Sequence, residues 1–168
     1  MASANYLGKN TELTVLNIQL VTADTPAALI ERGHAIHVQA QFSPWKLSTF
    51  ADCFTPPYYG LFALDENELV GYAIVLEVLD EATLMDIAVV QHCRGRGVGK
   101  ALLQPVLDKA KARSMREVWL EVRESNLAAI HLYETHGFEH IELRKNYYPT
   151  ENGKENAAIM KWRNLAIA

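Results

Sequence analysis

The chain is predicted to fold as one mixed α/β domain, a single sheet with helices on its faces. Three observations predict it. Apolar periodicity gives strands and helices in the order β-α-α-β-β-β-α-β-α-β-β. A glycine-rich turn joins an apolar strand to a helix with apolar residues at helical spacing. The 168 residues contain no repeat, low-complexity tract or linker that would divide them.

Residues 13–21 form the first strand, with Val15, Leu16, Ile18 and Leu20 apolar. Thr22, Asp24 and Thr25 ahead of Pro26 start a helix over 26–40, because short polar side chains cap exposed amides and proline is pre-set for the first helical position. Phe42, Ser43, Pro44 and Trp45 break it, and 46–53 make a second, short helix. Pro56 and Pro57 mark a boundary before strands over 58–64 and 69–79, joined by the polar turn Asp65, Glu66, Asn67. A strand over 82–90 and a helix from 98 to about 113 flank the glycine turn. Then come a strand over 117–122 and a helix over 126–136 that Gly137 stops. A strand over 138–144 follows, then a loop over 147–153 with strong turn chemistry, and a last strand over 156–162. The polar, small residues 1–12 read as a loose tail and 164–168 as a C-terminal tail, with the domain over 13–163.

A formal charge of −4 argues against a general nucleic-acid binder, which carries a basic face. Two cysteines, Cys53 and Cys93, are too few for a disulfide framework and lack zinc spacing, so reduced thiols in a cytoplasmic protein are expected. Cys93 is read as an inert packed thiol, with alkylation sensitivity as the alternative. No apolar stretch approaches the ~18 residues needed to span a bilayer, and the N-terminus lacks the order of a signal peptide. His34 and His37, one helical turn apart, read as a helix-surface pair rather than a metal site, and His92 and His136 as surface residues. No metal is expected.

The most informative stretch is Arg94, Gly95, Arg96, Gly97, Val98, Gly99 and Lys100. The first amides of a helix have no internal partner, and the helix dipole favours an anion there. Glycines let backbone amides approach a pyrophosphate, and the three cations add charge. No Gly-Lys-Ser/Thr sequence closes a Walker loop, and the glycines are too close together for a dinucleotide fingerprint. An ordinary strand-to-helix turn is the plainer alternative. The second signal is Glu121, centred in an apolar strand with Leu120 and Val122 on the opposite face. It is either a working carboxylate or an exposed-face one paired with Arg123 or a lysine. Asn126, Ile130 and Tyr133 share one helix face, where tyrosine commonly packs in the core with its hydroxyl at the rim.

Taken together, these segments resemble the GNAT superfamily of acetyltransferases. The resemblance rests on Ile87, Ala88 and Val89, on Arg94 with Gly97 and Gly99, on Leu120 to Arg123, on Asn126, and on Leu132, Tyr133, Gly137 and Phe138, in order and at spacing. Within the superfamily the chain is similar to the bacterial branch that acetylates the N-terminal alanine of a small-subunit ribosomal protein. The marks are Asp80 to Leu84, Leu120 to Asn126, Arg144 to Pro149 and Ala158 to Met160. The match is dense over 80–160 and thinner over 13–79, where one extra residue, Ser43, enters the aromatic-Pro-Trp turn.

The resemblance implies a mostly antiparallel mixed sheet whose two central parallel strands splay apart to admit acetyl-coenzyme A. It implies that the backbone of Ile87, Ala88 and Val89 pairs with the pantetheine arm, with an amide near Val89 polarising the thioester carbonyl. Arg94, Gly95, Arg96, Gly97, Val98, Gly99 and Lys100 would hold the pyrophosphate, and Asn126 would bind the cofactor arm. Glu121 would be the general base, directly or through a water, with burial raising its affinity for a proton. Tyr133 would be the acid for the leaving thiolate. Trp45, Tyr147 and Tyr148 would line a narrow slot for a peptide N-terminus, although loop packing also accounts for the two tyrosines. The implied partner is a ribosomal protein acting as substrate, with no direct nucleic-acid or membrane contact, and a monomer is expected. Two alternatives share the cofactor site: another amine acceptor (lysine, polyamine or small molecule), or a binding module without catalysis.

Overall fold

A computed structural model describes residues 16–167. The tail expected over 1–12 and the start of the first strand, 13–15, lie outside the described residues. The elements are β1 (Leu16–Leu20), α1 (Ala27–Ala40), α2 (Leu47–Asp52), β2 (Tyr58–Asp65), β3 (Glu68–Val78), β4 (Glu81–Val89), α3 (Val98–Ala112), β5 (Glu117–Arg123), α4 (Leu127–Thr135), β6 (Glu139–Thr150) and β7 (Gly153–Arg163). The strands form one seven-stranded sheet in the order β1-β2-β3-β4-β5-β7-β6. β1–β2, β5–β7 and β6–β7 pair antiparallel and β4–β5 parallel. The parallel register runs from Glu81↔Glu117 to Leu84↔Leu120, while β4 continues to Val89 and β5 to Arg123. Among the described residues two compact units are distinguished, Leu16–Val75 with Asp86–Val106 and Leu76–Met85 with Leu107–Ile167, and β3, β4 and α3 run through both.

In the first unit, β2 is buried from Tyr59 to its end and β3 from Leu69 through Val75. Strands covered on both faces read as continuous apolar runs rather than as alternation, which is what the sequence shows there. Phe50 of α2 sits edge-on to Tyr72 of β3, with ring centroids 5.2 Å apart. α3 approaches the sheet closely at Gly71. A Cβ placed there would lie 2.9 Å from the carbonyl oxygen of Ala88 and 3.2 Å from Leu102 and Val98. The start of α3, and the loop that feeds it, are seated by that contact. Both cysteines fall in this unit, buried and outside any disulfide. Burial, then the carboxylates of Asp52 and Asp86, push the Cys53 thiol up.

In the second unit, Val118, Leu120 and Val122 of β5 are buried and Glu121 lies on the opposite, exposed face. α4 is capped by Asn126, whose Oδ1 accepts from Ala129 N at 3.2 Å, and is followed by Gly137 at φ +91°. The chain past β7 is still held at Asn164. This residue is buried, its Nδ2 donates to Met115 O at 3.0 Å, and its N–H donates to Arg116 O at 2.9 Å. The main departure from the sequence reading is the loop expected over 147–153. β6 runs on to Thr150, with Tyr148, Pro149 and Thr150 paired to Glu155, Lys154 and Gly153. A register shift between Arg144 and Tyr148 absorbs Asn146, which sits at φ +52°. β6 is an edge strand, so Pro149 costs no ladder bond on its open side. Among the described residues no helix is long and apolar enough to cross a membrane.

Gly71→Ala is expected to destabilise the protein by about 1–3 kcal/mol, because the new methyl meets backbone that cannot retreat. The midpoint of urea unfolding checks this. An unchanged midpoint would mean that the α3–β3 contact is looser than described.

Candidate active site

In the first unit β4 ends in a short 3₁₀ turn, Gln91–Cys93, pinned by the buried Cys93. Gly95 and Gly97 follow at φ +75° and +86°, the left-handed region that L side chains enter only at a cost, and this explains two of the three loop glycines. Ala101 N–H donates to Gly97 O at 2.9 Å, so the amides of Val98, Gly99 and Lys100 precede the first i→i−4 bond of α3. No acidic residue stands in that first turn. Arg94 and Arg96 lie in the loop and Lys100 in that first turn, and Arg94 Nε donates to Val89 O at 3.2 Å. Amides, a helix N-terminus and guanidinium groups are the donor set that a pyrophosphate requires.

The strand before this loop departs from expectation at one residue. Val90 N–H donates to Val70 O at 2.9 Å, toward β3. Strand alternation then turns the backbone of Val89 and Ile87 to the other edge. Ala88 is turned back, its carbonyl oxygen beside Gly71. Of the three residues expected to offer backbone groups to an extended ligand, Ile87 and Val89 have the right direction and Ala88 does not.

The second unit brings Glu121, Arg144 and Tyr147 together. Arg144 Nη1 donates to Glu121 Oε1 at 3.0 Å and its guanidinium stacks over Tyr147, 4.3 Å from the ring centroid. The hydrogen bond from Tyr147 to Glu121, then the charge of that carboxylate, push the Tyr147 phenol up. Glu121 is thus held by two donors and lies exposed, where partial burial was expected. Arg123, one of the partners expected for Glu121, instead binds Glu155 at 2.9 Å and stacks on Tyr148 at 4.6 Å. Burial, then Glu121, push Tyr148 up to about 12. Tyr133 is buried against Phe138, with centroids 5.6 Å apart. The Oδ1 of Asn126 serves the α4 cap, which leaves its Nδ2 as the end that can reach a ligand.

The turn expected to bind an acceptor lies in the first unit. Trp45 is half-buried, with its ring stacked on His37 at 4.8 Å. The reading of His34 and His37 as a surface pair fails for His37. That residue is buried, with Nδ1 at 2.8 Å from Asp86 Oδ2, and it stands among Phe50, Tyr72 and Trp45. Period-3.6 reasoning places it one turn from His34 but does not say which face the core takes. Asp86 was overlooked, although an acid inside the apolar run 84–90, in phase with Leu84 and Ala88, is a legible signal. Arg144 was overlooked as the partner of Glu121, because the pairing is made across strands distant in sequence. Among the described residues no group of three or more His, Cys, Asp or Glu side chains could hold a metal ion.

Comparison with known proteins places the chain in a family. The model of the acetyltransferase (GNAT) family matches residues 27–138. The [ribosomal protein bS18]-alanine N-acetyltransferase of Escherichia coli K12 is 42% identical over 143 residues, 84% of this chain and 92% of the relative. The protein of the same description from Haemophilus influenzae is 40% identical over 141 residues, 83% of this chain and 96% of the relative. The crystal structure of the Escherichia coli ribosomal-protein-S18-alanine N-acetyltransferase superposes with a TM-score of 0.81 at 36% identity, covering 89% of this chain and 94% of the other. A family model that spans most of the chain, with relatives this similar along nearly their whole length, establishes that the chain belongs to the GNAT family of acetyltransferases.

Proposed function

We propose that this enzyme transfers an acetyl group from acetyl-coenzyme A to the free α-amino group of the N-terminal alanine of ribosomal protein bS18. The observation that carries the reading is the 40–42% identity to bacterial enzymes of that description over more than four-fifths of the chain. A ribosomal-protein acceptor is compatible with a cytoplasmic enzyme, and the net charge of −4 gives no support to a general nucleic-acid binder.

Acetyl-coenzyme A supplies an activated carbonyl and a thiolate leaving group. The chain's own residues divide the remaining work. Amides from Gly95 to Lys100, with Arg94, Arg96 and Lys100, bind the pyrophosphate. Ile87 and Val89 offer backbone groups along the β4 edge, and the Val89 amide is the donor for the carbonyl oxygen. Asn126 contributes its Nδ2. The attacking amine must be neutral, and an α-amino group, with a reference pKa of about 7.7–8.0 against about 10.4 for lysine, needs little help. Glu121 takes the amine proton, directly or through a water. Because Arg144 and Tyr147 already hold its carboxylate, an incoming ammonium competes with Arg144 for it, which orients the N-terminus before deprotonation. Tyr133 delivers a proton to the departing sulfur. Trp45 in the first unit, and Tyr147 and Tyr148 in the second, are each assigned to recognition of the acceptor.

Three outcomes test this. With acetyl-coenzyme A and two peptides, mass spectrometry should show acetylation of the bS18 sequence with a free alanine terminus. It should show none of the same sequence with a blocked terminus and an internal lysine; modification of the lysine peptide alone would overturn the acceptor. Glu121→Gln should lower kcat by about 10²–10⁴-fold while acetyl-coenzyme A affinity holds, and a wild-type rate would remove the base. Gly97→Ala, forced to a left-handed backbone at a cost of about 1–2 kcal/mol, should weaken acetyl-coenzyme A binding in calorimetry more than it alters acceptor KM.

A further inference from the structure

A buried network that the chemistry does not use holds the turn carrying Trp45. The peptide groups of Trp45 are gripped from two successive turns of α1. Its N–H donates to His37 Nε2 at 2.9 Å, and its carbonyl oxygen lies 2.7 Å from His34 Nε2. A backbone N–H only donates and a carbonyl only accepts, so both tautomers follow from geometry. His37 carries its proton on Nδ1 and His34 carries one on Nε2. The Nδ1–H of His37 points to Asp86 Oδ2 at 2.8 Å. The same oxygen accepts from the Tyr72 hydroxyl at 2.6 Å, and Oδ1 accepts from Gln41 Nε2 at 3.0 Å. His37, Tyr72 and Asp86 are 2%, 0% and 8% exposed. Burial, then the charge of Asp86, push the Tyr72 phenol far up, so it stays a donor.

An Asp–His pair has the make-up of a general base. Here the outer nitrogen is consumed by a main-chain amide and the ring is sealed from solvent, so it cannot take a substrate proton. A buried carboxylate is costly unless its hydrogen bonds are met, and an apolar trio would fill the same space without that cost. What the polar network adds is direction.

We propose that Asp86, His37 and His34 are positioning residues for the acceptor peptide. Asp86 fixes His37 in its Nδ1–H tautomer, and the two imidazoles then hold the Trp45 turn in a single conformation. The inference rests on the reading of Trp45 as part of the acceptor wall.

The test uses the full-length enzyme. In Asp86→Asn, one carboxylate oxygen becomes an amide N–H₂, so a single oxygen is left for the three donors and the charged acceptor that fixes the His37 Nδ1–H tautomer is lost. Peptide KM should rise about tenfold, the scale of one lost buried hydrogen bond, while kcat and acetyl-coenzyme A Kd stay within about twofold. Imidazole ¹⁵N shifts should report the tautomer change. His34→Leu should raise peptide KM several-fold, and His34→Gln, which keeps an N–H donor, should restore it. The His34 pair decides the matter where Asp86→Asn does not fold. Trp45→Ala separates the two layers of the argument. If it leaves peptide KM unchanged, the reading of the turn as acceptor wall falls, and this inference with it. If it raises KM while Asp86→Asn and His34→Leu do not, the positioning role alone is overturned. A fall in kcat with unchanged KM in Asp86→Asn also overturns it.

Discussion

The close approach of α3 to β3 at Gly71 is the constraint on which the glycine loop of the first unit depends. With no side chain at that position, Val98 and Leu102 rest directly on the sheet, and Ala88 of β4 lies alongside. The N-terminus of α3 is thereby fixed relative to the end of β4, and the intervening loop has to turn back sharply. Gly95 and Gly97 make that turn with left-handed backbones. The result is a set of helix-terminal amides among basic side chains, held by apolar packing rather than by the ligand they would bind.

Two carboxylates, each placed in the middle of an apolar strand, have opposite fates. Glu121 shares its strand parity with Trp119 and Arg123 and is turned outward, where Arg144 and Tyr147 hold it. Asp86 shares parity with Ala82, Leu84 and Ala88 and is turned into the core, where His37, Tyr72 and Gln41 satisfy it. The first can exchange partners with an incoming cation because it is exposed. The second cannot, and its contribution is to fix orientation. Strand phase alone turns one carboxylate outward and the other into the core.

The aromatic residues divide in a related way. Tyr147 and Tyr148 lie side by side at the bulged end of an edge strand, each under an arginine, and both arginines are tied to carboxylates. In this ladder of alternating charge and ring Tyr148 is half-buried and Tyr147 is exposed. In the first unit Trp45 and His37 stack inside a cluster with Phe50 and Tyr72, and order there comes from exclusion of water.

The sequence by itself determined the element order, the sharp glycine turn from strand to helix and the placement of Glu121 on the outward face of its strand. Each follows from local rules: periodicity, backbone permissiveness and side-chain alternation. The extent of β6 was not legible, because Asn146 and Pro149 carry loop chemistry that an edge strand accommodates with a bulge and an open side. Nor was the environment of His37, or the pairing of Glu121 with Arg144 rather than Arg123. Both depend on which distant segments the sheet brings into register, with Asp86 lying 49 residues from His37 and Arg144 lying 23 from Glu121. Only tertiary structure decides such contacts, because hydrogen bonds between residues far apart in sequence are set by strand order and helix seating, which no local pattern encodes.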